Sequence, residues 1–150
     1  MEIISYFESD EKKYWKGEIG KSKWGAGKLL YRMICENTFF EFCGQPSEIL
    51  LLVEGKTLVS YCTFAKQDEI KDLSLSPWIG FVFTFPKFRG HRYVGRLIEY
   101  AEDAARRRAD KRTYISTGHK GLYEKYGYTF LKRMKNYNGH KERVYYKDIV

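Results

Sequence analysis

No stretch of this chain approaches the roughly 18 consecutive apolar residues that a membrane-crossing helix needs. Met1 is followed at once by Glu2, with no basic segment leading into an apolar one. A membrane span and a secretory leader are therefore not expected, and the cytoplasm is the expected compartment. Cysteine is scarce: Cys35, Cys43 and Cys62 are an odd set without metal-ligand spacing. They read as reduced thiols. The three histidines add no ligand pattern, so no metal is expected. Internal repeats and low-complexity tracts are absent. Acidic side chains are in deficit, with 19 Asp and Glu against 27 Lys and Arg and a net charge of +8. That balance favours an anionic partner: nucleic acid, a polyphosphate cofactor or an acidic surface.

What is present is apolar and aromatic enough to fold. The hydrophobic fraction is 43% and the aromatic fraction 17%, which argues against disorder. A chain of 150 residues can bury a sizeable core, and one domain over residues 1–150 is expected. The segment Gly17–Ser22 superficially suggests a phosphate-binding P-loop. That motif needs a glycine five residues before Gly20, where Trp15 stands, so the segment is expected to be an ordinary loop.

Trp24–Phe42 has helical spacing, ended by Gly44, Pro46 and Ser47. Ile49–Val53 and Thr57–Phe64, joined by Glu54-Gly55-Lys56, predict a β-hairpin. Gln67–Ser76 is polar and predicts a loop. Trp78–Phe85 predicts a strand. From Tyr93 to about Asp110, Val94, Leu97, Ile98, Ala101 and Ala105 mark an amphipathic helix. Glu102–Arg106 and Asp103–Arg107 are expected as i, i+4 pairs on its solvent face. Thr113–Thr117 predicts a strand, Lys120–Tyr126 a short helix stopped by Gly127, and Tyr128–Leu131 and Arg143–Ile149 two more strands around an Asn136–Gly139 turn. The order predicts a mixed α/β layer fold around a central sheet.

The most informative stretch is Pro86–Leu97. A strand runs into a short basic loop with glycines at 90 and 95, and a long helix leaves it. The first N–H groups of a helix lack internal acceptors, and its dipole favours negative charge there. A phosphate-bearing ligand is expected at that helix start.

The strand, Pro86, the Arg89-Gly90 loop and the helix resemble the acetyl-CoA motif of the GNAT family of N-acetyltransferases, Gln/Arg-x-x-Gly-x-Gly/Ala. Arg89 fits the first position. Arg92 stands where that motif has Gly, Val94 where it has Gly or Ala, and Gly95 follows one place late. His119–Tyr128 resembles the family's second signature, a short helix carrying Tyr before a Gly-aromatic step. The resemblance covers about two-thirds of the chain. It implies the acyl-CoA N-acyltransferase fold, an α/β arrangement of a mostly antiparallel mixed sheet with splayed strands flanked by helices. It also implies direct transfer of an acetyl group from acetyl-CoA to a primary amine of a small molecule, peptide or protein.

By the same resemblance, main chain at Val82, Phe83 and Thr84 would hold the pantetheine arm. Arg89, Gly90, His91, Arg92, Tyr93, Val94 and Gly95 would cradle the pyrophosphate. The Arg92 side chain could either crowd that group or supply a guanidinium to it. Lys120 and Lys125 are candidates for the outer phosphates, and Ser116 for a pantetheine contact. Tyr123 is the implied general acid for the leaving thiolate. No base is assigned, because no carboxylate stands in Trp78–Phe85. His119 reads as structural. The acceptor pocket would come from the Trp15–Phe42 and Lys132–Val144 regions, whose basic rim would suit neutral or acidic acceptors. Strand edges leave a homodimer open.

Two other readings use the same residues. Arg92 and Val94 motivate a relative that binds acyl-CoA without turnover. The charge and aromatics permit a nucleic-acid-binding module, but no groove-reading or base-stacking motif supports it, so neither nucleic acid nor a membrane is the expected partner.

Overall fold

Two apolar runs separated by one tight turn form the centre of the molecule. The computed structural model describes residues 1–149. In it, β2 (Ser47–Glu54) and β3 (Thr57–Ala65) pair antiparallel from Glu54↔Thr57 to Ser47↔Ala65. Gly55 takes φ +57 at the turn, a conformation that costs glycine little. Side chains alternate across a strand, so both faces of this hairpin are apolar and both are covered.

One face packs on α1 (Lys12–Ile19), α2 (Gly25–Cys35) and α3 (Phe39–Cys43). There Ile49, Leu51 and Tyr61 meet Trp15, Ile19, Leu30 and Phe39. The other face packs on α4 (Tyr93–Arg107), where Leu50, Leu52 and Cys62 meet Leu97, Ile98, Ala101 and Ala105. The remaining strands are β1 (Glu2–Ser5), β4 (Trp78–Thr84), β5 (Arg112–Thr117), β6 (Thr129–Lys135) and β7 (Lys141–Asp148). They make one seven-stranded sheet in the order β1-β2-β3-β4-β5-β7-β6. Every neighbouring pair is antiparallel except β4 and β5, which α4 connects as a crossover.

The expected hairpin, the Gln67–Ser76 loop, the strand from Trp78 and the long helix are present. Several local expectations change. Gly17–Ile19 is the last turn of α1 rather than a loop, because Trp15 and Ile19, four apart, are both buried. Trp24–Phe42 is two helices. Asn37 takes φ +57, which asparagine tolerates, and breaks the run. Lys120–Tyr126 narrows to a single 3-10 turn at Tyr123–Tyr126, since Gly121 at φ +87 delays its start. β1 escapes a pattern search because it is four residues long.

Glu102 is also not on the solvent face. It is buried, accepts from the Tyr128 hydroxyl at 3.0 Å and from Lys147 Nζ at 3.1 Å, and pins α4 to the C-terminal strands. Arg106 pairs instead with Asp103, 2.5 Å away.

The floor of α2 is tight. A Cβ on Gly27 would lie 2.1 Å from Ser22 Oγ and 2.5 Å from the Tyr61 hydroxyl. Those two groups hydrogen-bond each other at 3.2 Å. Gly27→Ala is therefore expected to lower stability by about 1–3 kcal/mol, as overpacking does, in a urea melt. An unchanged midpoint would show that α2 can slide.

Candidate functional site

β4 pairs with β3 along its length but with β5 only at Trp78↔Tyr114. Beyond that point the two parallel strands diverge. A bulge assists the divergence: Thr63 faces Gly80 and Tyr61 faces Phe83, so Phe81 and Val82 together oppose Cys62. Phe81 takes φ +49 there. A bulge bends a strand and increases its twist. The result is a wedge that opens into a cleft of about 1400 Å³ reaching from α4 to α2.

One wall of the wedge is the free edge of β4. Phe85 N–H donates to Val59 at 3.1 Å, and the Phe83 carbonyl accepts from Ser60 Oγ at 2.7 Å, so both are turned toward β3. Alternation then leaves the main chain of Val82 and Thr84 facing the wedge. Phe83 departs from its expected main-chain role. It contributes its ring to the cleft, stacked on Trp24 with centroids 5.6 Å apart. Arg89 reaches back to this edge, donating from Nε to the Thr84 carbonyl at 2.9 Å, with its guanidinium 5.4 Å from the Phe83 ring centroid.

At the mouth of the wedge the chain turns into α4. Gly90 at φ +89 and Arg92 at φ +57 bend the backbone. Among the described residues, no group accepts from the N–H groups of Gly90, His91, Arg92, Tyr93 and Val94. Five free donors at the positive end of a 15-residue helix form an anion cradle. Arg92, in place of the motif's glycine, takes the left-handed conformation that a glycine would supply. Its guanidinium stands 5.3 Å from the Tyr126 ring centroid, at the rim of the cradle.

Gly95 serves differently from the expectation. Its N–H donates to the Arg92 carbonyl at 3.0 Å, and a Cβ there would lie 2.9 Å from Tyr126, so it lets α4 approach that ring. His91 is exposed and its ring stacks on Tyr93 at 5.3 Å, so only its main-chain N–H belongs to the cradle.

The opposite wall comes from the end of β5 and the 3-10 turn after it. Tyr123 is 5% exposed and lines the cleft. Burial above all, with the Cys62, Tyr126 and Asp68 groups adding to it, pushes its hydroxyl above the usual phenol range. It therefore stays protonated at neutral pH. Lys125 lines the same wall and is exposed, whereas Lys120 is exposed away from the cleft. Ser116 lines the cleft, but its hydroxyl donates to Glu69 at 2.7 Å.

Glu69 also accepts from Asn136 Nδ2 at 3.0 Å, and its carbonyl accepts from Tyr137 N–H at 2.9 Å. It thereby fastens the loop before β4 to both the end of β5 and the β6–β7 turn. The far end of the cleft is walled by Trp24, Leu29 and Phe42 from the helices and by Tyr137 and Glu142 from the β6–β7 hairpin.

These are the two regions expected to form an acceptor pocket, but their charge differs from expectation. Arg32 is the lone cation on the lining of that end, against Asp68, Glu69 and Glu142. The lysines of both regions point elsewhere. Asp68 is the residue that sequence reasoning missed. It lies in the loop before β4, is 4% exposed, and has one carboxyl oxygen, Oδ1, without a partner. Gly80 makes room for it, since a Cβ there would lie 2.1 Å from that oxygen. A glycine inside an aromatic strand was the available signal of such close approach.

Among the described residues, no cluster of His, Cys, Asp and Glu could hold a metal ion, and no helix is long and apolar enough to cross a membrane.

Residues 13–128 match the model of the acetyltransferase (GNAT) family. No curated protein matches the sequence. Solved structures with the same fold include an aminoglycoside 6'-N-acetyltransferase complexed with coenzyme A, at 14% identity and TM-score 0.69, covering 100% of this chain and 98% of that one. The aminoglycoside 6'-N-acetyltransferase from Enterococcus faecium aligns at 16% identity and TM-score 0.69, over 100% of this chain and 98% of its own. An acetyl transferase from Salmonella typhimurium that modifies the N-terminal serine of ribosomal protein L7/L12 aligns at 14% identity and TM-score 0.68, over 99% and 94%.

Proposed function

This chain belongs to the GNAT family of acetyltransferases, and on that premise we propose how its own residues hold acetyl-CoA and move the protons. It is an acetyl-CoA-dependent N-acetyltransferase. The observation that carries the reading is the free edge of β4 beyond the Trp78↔Tyr114 pair, with five unpaired N–H groups at the same mouth.

Val82, and Thr84 beside the carbonyl that Arg89 already engages, offer main-chain groups to the pantetheine arm in place of a missing strand. The N–H groups of Gly90 to Val94 hold the pyrophosphate, with Arg89 and Arg92 supplying charge and Lys125 reaching the outer phosphates. When bound, acetyl-CoA supplies an acyl carbon joined to sulfur, a bond that breaks as the amine nitrogen bonds to carbon, the electron pair staying on sulfur. Tyr123 gives its proton to that sulfur. The aromatic wall from Trp24 to Phe42 excludes water, which favours transfer to an amine over hydrolysis.

The whole of residues 1–150 serves as one catalytic domain. The cytoplasm suits three thiols that form no disulfide. Pairing of two copies would use an outer strand, β1 or β6.

The test is to incubate the protein with acetyl-CoA and a panel of primary amines, following free thiol and the mass of each amine. Thiol release that needs an amine, with one acetyl group added to it, supports the reading. Thiol release unaffected by amines, or none with any, contradicts it.

A further inference from the structure

We propose that Asp68 is the base that takes the proton from the acceptor, and that the acceptor is a primary amine carrying a second positive charge. The inference rests on the acetyltransferase reading and deepens it. An amine near neutral pH is mostly ammonium and cannot attack until it loses a proton. The cleft must therefore hold a group that can accept one on the acceptor side, opposite the acid.

Asp68 fits that place. Asp68 lines the cleft, is almost wholly buried, and has Oδ1 free of any hydrogen bond among the described residues. Oδ1 is sealed over Gly80, so the carboxylate is short of donors, and an ammonium arriving at its Oδ2 side offsets that cost. The chain also keeps Gly80 beneath it, where any side chain would expel it. Two further carboxylates, Glu69 and Glu142, line the same end, with Arg32 as the lone cation on its lining. Glu69 is already held by Ser116 and Asn136, so its charge is fixed in place rather than free to move. That surplus of negative charge favours a dication over a neutral or acidic amine.

The groups facing Asp68 are Glu69 and Lys71 from its own loop, Cys43 from α3, and Tyr123 across the cleft. Lys71 stands close enough to favour the charged form of Asp68, while its Nζ donates to the Phe42 carbonyl at 2.5 Å. Burial dominates, and it pushes the carboxyl up to about 7 from 3.8. A base is most effective when its pKa lies near the working pH. The protons balance as follows. Asp68 takes one proton from the ammonium, and the freed lone pair forms the N–C bond. Tyr123 protonates the sulfur and regains a proton from the new amide nitrogen. Asp68 returns its proton to solvent, one per turnover.

The sign of the linkage gives a readout independent of turnover. A carboxyl raised in the folded state contributes stability that is complete below 3.8 and lost as pH passes about 7. Asp68→Asn removes that loss. Its melting temperature should exceed that of the wild type by an increment that grows from pH 4.5 to pH 8.

With 1,5-diaminopentane as the probe amine, Asp68→Asn should lower kcat at pH 7 at least thirtyfold, abolish the rise of the wild-type rate between pH 6 and 8, and leave acetyl-CoA affinity within twofold. n-Pentylamine and 5-aminopentanoate should be poorer acceptors than the diamine. The inference alone falls if acetyl-CoA binds and Asp68→Asn keeps its rate or its pH profile. It falls too if the melting increment is flat with pH, if n-pentylamine or 5-aminopentanoate is preferred to the diamine, or if none of the three amines is acetylated. A wild type that does not bind acetyl-CoA overturns the acetyltransferase reading and the inference with it.

Discussion

Replacing Tyr123 by phenylalanine is expected to lower kcat about a hundredfold while changing the KM for acetyl-CoA less than threefold. General acid catalysis by one positioned group is worth roughly 10²–10⁴ in rate. A phenol is a weak acid, but it only has to give up its proton as charge builds on the leaving sulfur. Burial holds this hydroxyl above its ordinary value of 10.0, so the acid form persists well past neutral pH. The alkaline limb of the rate profile should then not come from this group below pH 10. The hydroxyl has no hydrogen-bond partner among the described residues, so its removal should leave the melting temperature within about a degree. A rate within threefold of the wild type would assign the proton to water instead.

Placing an acid at the start of α4 should act on binding rather than on the chemical step. Arg92→Asp is expected to raise the Kd for acetyl-CoA at least tenfold and to leave that for S-acetyl-pantetheine within twofold, because only the first carries the pyrophosphate. Two effects act in the same direction. The carboxylate repels the phosphates at the positive end of the helix. It can also accept from the first-turn N–H groups that the anion needs, as an N-cap aspartate does. Aspartate tolerates the φ of +57 at this position, so the fold should persist. The difference should shrink as salt is added. Equal losses for both thioesters would place residue 92 against the arm and not the phosphates.

Tyr123 stood out in the sequence through the resemblance of His119–Tyr128 to the family's second signature, and the start of α4 through the apolar spacing of the helix. α4 carries apolar residues at Val94, Leu97, Ile98, Ala101 and Ala105, the spacing of one helix face. The basic loop before it followed from the same boundary. The departures from the family motif are explained locally: Arg92 adopts a glycine-like backbone, and Val94 packs on the α4 side of the sheet.

What was not legible depends on contacts distant in sequence. Glu102 reads as a solvent residue until Tyr128 and Lys147 close over it. The segment from Gln67 to Ser76 reads as a solvated loop, yet Asp68 and Ile70 are 4% and 2% exposed, because the loop is clamped by Glu69 across β5 and the β6–β7 turn. The acidic character of the acceptor end was hidden for the same reason. Composition counts the lysines of a region but not the direction in which they point.

The wedge beside β4 and the cradle at α4 are the centre of this account, and titrating acetyl-CoA into the protein by calorimetry tests them most directly. The account predicts one site per chain with micromolar affinity, weakened by Arg92→Asp and unaffected by a competing oligonucleotide. Absence of heat at millimolar acetyl-CoA, or binding that the oligonucleotide displaces, would contradict it.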